Sequence, residues 1–128
     1  MAYNILVVDD SEIIRKVLIK TLLLANVSVG ELYEASNGKE ALEILRGSWI
    51  DLVFADINMP VMNGVEMIEM MSKDGLLDKI PVVVISTESS STRINELKIK
   101  GVRAYIQKPF TPEMVKKVVN DIMGEDDG

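Results

Sequence analysis

Four short stretches of the chain end in residues that could do chemistry together. Asp9-Asp10 follows the apolar run Ile5 to Val8, and Asp56 follows Leu52 to Ala55. Ser86-Thr87 follows Pro81 to Ile85, and Lys108-Pro109 comes just after Val102 to Ile106. Taken singly, each has a plain reading: a polar strand exit, a turn-forming acid, the start of a turn, a surface lysine. Gathered in one place they would be three carboxylates, a hydroxyl and an ammonium. Three carboxylates in one crevice repel, and they stay ionised near neutral pH only when a cation compensates them. The chain has no cysteine and no histidine, which excludes thiolate and imidazole metal sites, cysteine nucleophiles and the serine triad. An all-oxygen donor set favours Mg²⁺ or Mn²⁺. A carboxylate can itself be a nucleophile, and its attack on phosphorus gives an aspartyl-phosphate. A divalent cation, a lysine and a hydroxyl around the incoming group supply what phosphoryl transfer needs: positioning and neutralisation of the phosphoryl oxygens. The set points to phosphoryl chemistry at an aspartate.

The elements that must position these residues are visible as hydrophobic periodicity. Ile5 to Val8, Leu52 to Ala55 and Pro81 to Ile85 are apolar almost throughout, as strands covered on both faces are; Leu32 to Ala35 and Val102 to Ile106 are weaker runs of the same kind. Helical segments lie between them. Ser11 caps the first, with Ile14, Val17, Leu18 and Leu22 on one face. Asn37 and Glu40 open the second, whose Ala41, Leu42, Ile44 and Leu45 face one way before Gly47. Asn63 precedes a third with Val65, Ile68 and Met71, and Ser89 to Ser91 lead into a fourth with Ile94 and Leu97. Thr111-Pro112 starts the last, through Met114, Val115, Val118, Val119 and Ile122. Five βα units with short joints predict a parallel sheet with helices on both faces. Ligands of such sheets bind at the carboxyl ends of the strands, where the chemistry-bearing residues stand. Five of the eight methionines fall between Met59 and Met71, read as helix-face core filling. Trp49 is read as a hydrophobic plug before the third strand.

The chain of 128 residues, 48% apolar and 27% charged, has the composition of one soluble domain. Its N-terminus has no basic segment and turns acidic after four apolar residues, unlike a signal peptide. No apolar run reaches the length of a membrane span. A cytoplasmic protein is expected. The net charge of −6 is uneven: seven bases against two acids make residues 93 to 117 +5, leaving −11 for the rest. That segment suits an acidic partner, while the acidic remainder argues against nucleic acid.

In this order, the motifs Asp9-Asp10, Asp56-Ile57-Asn58-Met59-Pro60-Val61-Met62-Asn63-Gly64, Ser86 and Lys108-Pro109-Phe110 resemble those of the receiver domains of two-component response regulators. The single-domain chemotaxis regulators among them are the nearest in kind, and the resemblance runs from Ile5 to about Met123. It implies a flavodoxin-like (βα)5 three-layer sandwich with strand order 2-1-3-4-5, a receiver domain over 1–124 and a short acidic tail over 125–128. It implies that Asp56 accepts a phosphoryl group from a histidine kinase or phosphotransfer protein. Asp10 would ligate Mg²⁺ with Asp56 and the backbone carbonyl of Asn58, and Asp9 would act largely through bound water. Ser86 would hydrogen-bond the phosphoryl group. Lys108 would pair with it, through a peptide to Pro109 that is cis in the family. Tyr105 would turn inward as Ser86 moves, although an aromatic packing a strand edge has the same sequence signature. Gly64 fits either the family's tight turn or a plain helix start.

Some positions depart from the family pattern. Asn63 stands where aspartate is common and caps as well. Thr87 replaces the usual alanine and is expected to slow access of phosphodonors. Asn58 and Glu88 repeat a pairing of fast-turnover chemotaxis regulators, implying a short-lived phosphoryl state. The implied role is signalling, with no catalysis beyond the chain's own phosphoryl transfer and autodephosphorylation. Output would be contact with a downstream protein through the face of the fourth helix, fifth strand and fifth helix. A monomer or transient dimer is expected, with no nucleic-acid or membrane partner. A rival is a haloacid-dehalogenase-type phosphatase, which wants a second aspartate two residues after the first, where Asn58 stands. A flavodoxin-like binder would need a phosphate-cradling loop where Asp9-Asp10-Ser11 repels phosphate unless a cation intervenes. The intact acid set speaks against a degenerate receiver, and a phosphorelay shuttle stays open.

Overall fold

The computed structural model describes residues 2–88 and 90–124; the acidic run Glu125, Asp126 and Asp127, and Ser89, lie outside the described residues. Strands and helices alternate: β1 (Tyr3–Val8), α1 (Glu12–Leu24), β2 (Val29–Ala35), α2 (Gly38–Gly47), β3 (Leu52–Ala55), α3 (Gly64–Lys73), β4 (Val82–Ser86), α4 (Ser91–Lys100), β5 (Ala104–Gln107) and α5 (Pro112–Met123). All pairings are parallel and the sheet order is β2-β1-β3-β4-β5, the expected flavodoxin-like arrangement.

The period of two along the central strands builds two cores. Leu6, Val8, Val53, Ala55, Val82 and Val84 face the side covered by α2, α3 and α4, where Leu42, Met67, Met71 and Leu97 pack. Ile5, Val7, Leu52, Phe54, Val83 and Ile85 face α1 and α5, meeting Leu18, Leu22, Val115 and Val119. Burying each such side chain contributes about 1.5–3 kcal/mol, and a one-residue slip of any central strand would exchange its two faces. Met59, Met67 and Met71 are buried, so the methionine-rich stretch does fill the core.

Every helix starts on a capping side chain. Ser11, Asn37, Ser90 and Thr111 accept from the backbone N–H of Ile14, Glu40, Arg93 and Met114, and Asn63 and Glu66 form a reciprocal capping box. Each cap is worth about 1 kcal/mol and sets where the preceding loop must end. In α1 the buried face is Leu18, Thr21 and Leu22; Val17, expected to join it, is 47% exposed and lines an open hollow with Pro109 and Phe110 instead. In α5 only Val115 and Val119 are buried and Met114 is exposed. Trp49 is no plug: it is 78% exposed, and Ile50 takes the buried place at the entry to β3.

In the loop after β3, Met62 N–H donates to the Pro60 carbonyl at 2.7 Å around Val61, whose φ is +66°. A β-branched residue in that region is strained. Val61→Asn is expected to stabilise the domain by roughly 1 kcal/mol, raising the urea midpoint without changing the slope; a lower midpoint would show that the turn holds no strain.

Candidate functional site

Parallel pairing sends all five strand ends to one edge. The order β2-β1-β3-β4-β5 puts β1 beside β3, so the residues that follow them share the crevice where strand order reverses. Backbone bonds set the heights: Asp56 N–H donates to the Val8 carbonyl at 3.0 Å, Asp9 N–H to Ala35 at 3.1 Å and Lys108 N–H to Ser86 at 2.9 Å.

The structure brings Asp9, Asp10 and Asp56 together, with one carboxylate oxygen from each within 4.8 Å of the others. Asp9 is buried, Asp56 half-buried and Asp10 exposed. The Lys108 ammonium lies 3.4 Å from Asp9 Oδ2 and 3.5 Å from Asp56 Oδ2, reached through a cis Lys108–Pro109 peptide. Asp9 Oδ1 accepts from Ser11 N–H at 2.9 Å, and Asp56 Oδ1 from Ile57 N–H at 2.8 Å. Burial pushes the Asp56 carboxyl above the ordinary carboxylate range, assisted by the Asp9 charge and opposed by Lys108 and the Ile57 N–H. Charge that one ammonium leaves uncompensated, on hard oxygen donors with an exposed rim, fits a small divalent cation. Asn58, two residues past Asp56, is exposed.

Ser86, Glu88 and Tyr105 form a second group. Ser86 is fully buried, and its Oγ accepts from Glu88 N–H at 3.2 Å. The Tyr105 hydroxyl donates to the Glu88 carbonyl, and the ring packs against the α2–α3–α4 core. Burial pushes the phenol's pKa up, opposed by a hydrogen bond with Ser86. Tyr105 is thus tied to the segment that follows Ser86. Thr87 is exposed and lines an apolar hollow with Ile14, Val17, Pro109 and Phe110.

The two readings of Gly64 separate here. Its N–H donates to the Ile57 carbonyl at 2.7 Å, and a Cβ placed on it would collide with the Asp56 carbonyl oxygen and stand 2.9 Å from Ile57 Cα. The glycine is needed for close approach to the backbone of Asp56 and Ile57.

Sequence reasoning passed over Arg15. Its Nη1 donates to the Asp9 carbonyl at 2.6 Å and its Nε to Glu34 Oε1 at 2.9 Å, while Lys16 takes the other Glu34 oxygen at 2.7 Å. These contacts hold Glu34 below the usual carboxylate range, Lys16 contributing most. The signal was there: two bases early in a helix face the positive end of its dipole, which is unfavourable unless an acid elsewhere holds them. The basic segment is also less continuous than its sequence suggests. Lys100 pairs with Glu69 at 3.4 Å and Lys117 with Asp121 at 3.0 Å, and Arg103 lines a cavity with Trp49 at the opposite pole of the sheet.

Known proteins resemble this chain in sequence and fold. The chain is 31% identical to a chemotaxis protein CheY homolog of Campylobacter jejuni over 98% of its length and 95% of the relative's. It is 33% identical to chemotaxis protein CheY1 of Helicobacter pylori, over 97% and 99%. The structure of Vibrio cholerae chemotaxis protein CheY4 superposes with a TM-score of 0.83 at 31% identity, covering 95% of this chain and 99% of that one. The family model of the response regulator receiver domain matches residues 5–120, and the chain belongs to that family, the phosphorylation-activated signalling modules of two-component systems.

Proposed function

We propose that Asp56 is the residue phosphorylated, that Asp9 and Asp10 hold the required Mg²⁺ beside it, and that the charge change is read out through Lys108, Ser86 and Tyr105. The observation that carries this is the approach of three carboxylates to within 4.8 Å with one ammonium between two of them. An Asp56 oxygen attacks phosphorus, the bond to the donor's imidazole or acetate breaks, and the leaving group departs with its electron pair. Asp10, Asp56 and the Asn58 carbonyl would hold the ion, with Asp9 acting through water; bound there, Mg²⁺ supplies neutralisation of the phosphoryl oxygens. Lys108 exchanges its carboxylate partners for the phosphoryl group. Ser86 swings from Glu88 N–H toward the same group, and the Tyr105–Glu88 bond carries that motion to α4 and β5. Asn58 and Glu88 flank the acceptor from two loops, where they set how fast water removes the phosphoryl group. That autodephosphorylation is the only turnover proposed.

The donor is a histidine kinase or phosphotransfer protein, and the target is a protein docking on the face of α4, β5 and α5. Relatives named as chemotaxis proteins support a chemotaxis pathway, and a cytoplasmic setting agrees with the absence, among the described residues, of any helix long and apolar enough to cross a membrane. The receiver unit would span 1–124. A phosphatase of the dehalogenase type is not favoured, because Asn58 stands where its acid/base should be.

The test is incubation with acetyl phosphate and Mg²⁺, with phosphate-affinity electrophoresis as the readout. Uptake is expected with Mg²⁺ and none with chelator; uptake in chelator would remove the metal's role. Mg²⁺ alone is also expected to raise thermal stability, by about 1.4 kcal/mol at ten times its Kd. Asp10→Asn should raise the metal-free melting temperature by roughly 2–4 °C and blunt the Mg²⁺ response; an unchanged response would place the ion elsewhere.

A further inference from the structure

The pole of the sheet opposite the carboxylates carries a surface that phosphoryl chemistry does not use. A cavity of about 460 Å³ opens among the strand entries there, lined by Trp49, Ile50, Lys79, Ile80, Arg103 and Met123 among others. Trp49 is exposed but pinned. Its Nε1 donates to Asp51 Oδ1 at 3.1 Å, and its carbonyl accepts from Asn4 Nδ2 at 2.9 Å. Asp51 Oδ2 accepts from Asn4 N–H at 2.8 Å, so both oxygens of that carboxylate are engaged within the fold. An indole whose N–H is held by Asp51, on a backbone held by Asn4, has less rotamer freedom for binding to remove, which suits an interface anchor.

Lys79 and Arg103 are both exposed, and neither makes an ion pair among the described residues. On a chain of net charge −6, a lining in which Lys79 and Arg103 outnumber the one carboxylate, Asp51, is a local reversal of sign. Charge complementarity therefore selects the occupant. We propose that this pole docks an acidic peptide segment of a partner protein. One bulky apolar side chain of the segment sits on Ile50, Ile80 and Met123 against the Trp49 ring, and flanking carboxylates reach Lys79 and Arg103. A basic segment would meet two like charges against the single Asp51 carboxylate, whose oxygens already accept from Asn4 and Trp49.

The site lies at the far end of the strands from Asp56, so its occupancy does not depend on phosphorylation, and the Asp56→Asn chain should bind equally. Trp49 is the chain's single tryptophan, so its indole N–H gives one signal in a ¹⁵N–¹H spectrum. The test titrates the labelled full chain with the probe peptide acetyl-Asp-Glu-Leu-Phe-Asp-Glu-amide. A saturable shift of that indole signal and of the Ile50, Ile80 and Arg103 amides is expected, weakening with salt and absent with a probe whose acids are replaced by lysine. Lys79→Glu with Arg103→Glu should weaken binding at least about tenfold while the rest of the spectrum stays in place. No saturable shift, an equal response to the lysine probe, shifts centred on Tyr105 instead, or wild-type affinity in the double reversal would each overturn the proposal.

Discussion

Gly64→Ala is expected to destabilise the domain by about 3 kcal/mol and to cut phosphoryl uptake at least tenfold in the molecules that remain folded. The new methyl group would be driven into the Asp56 carbonyl oxygen and toward Ile57 Cα. Both are backbone atoms, which cannot swing aside as a flexible side chain can. The chain must either open the loop after β3 or lose the Gly64 N–H bond to Ile57. Either way the displaced backbone belongs to the proposed phosphoacceptor. Gly47→Ala is the matched control, since a Cβ there meets nothing within 4 Å. Urea unfolding of both variants, with uptake from acetyl phosphate measured below the transition, checks this. Equal stability of the two would show that the close approach at Gly64 relaxes freely.

The second large effect is expected from Lys108→Ala. Removing the ammonium leaves Asp9 and Asp56 facing each other without their shared counter-charge, and the metal-free domain should lose roughly 2 kcal/mol, less than a fully buried pair would cost because the rim is partly wet. It also removes the largest influence holding the Asp56 pKa down. Mg²⁺ should then stabilise the variant more than the wild type, because the cation no longer displaces an ammonium to reach the same oxygens. Phosphorylation should persist in part, yet the Glu88 and Tyr105 amide resonances should stay where they were. A smaller Mg²⁺ response in the variant, or wild-type resonance shifts on phosphorylation, would remove Lys108 from the proposed role. Trp49 fluorescence is a poor reporter for this experiment, as the ring sits exposed at the other pole.

The parts of the molecule that could be read from sequence are those governed by short-range rules. Apolar runs such as Leu52 to Ala55 and Pro81 to Ile85, short and set between helical segments, read as strands buried on both faces, and capping residues such as Asn63 and Thr111 mark helix starts through bonds to residues three ahead. Strand ends then place Asp9, Asp56, Ser86 and Lys108 at one edge without further information. What sequence left open depends on distances between remote segments. Val17 has the spacing of a core residue, yet it lines an open hollow with Pro109 and Phe110, which only the position of the remote loop after β5 decides. Trp49 looks like core by type, yet Ile50 occupies the buried place and the exposed indole donates to Asp51. Arg103 falls within a basic stretch of sequence, and its place just before β5 puts it beside Trp49, at the pole opposite the carboxylates. The glycine at 64 has two readings until the backbone of Asp56 is seen beside it.

The central claim is that one carboxylate, Asp56, receives the phosphoryl group in a metal-dependent step. Its most direct test is intact-mass analysis of the full chain after acetyl phosphate and Mg²⁺, followed by reduction of the acyl phosphate with borohydride and peptide mapping. A gain of one phosphoryl group is expected, mapped to Asp56, absent with chelator and absent in Asp56→Asn. An adduct that maps to another residue, or that forms at full yield in Asp56→Asn, would contradict it.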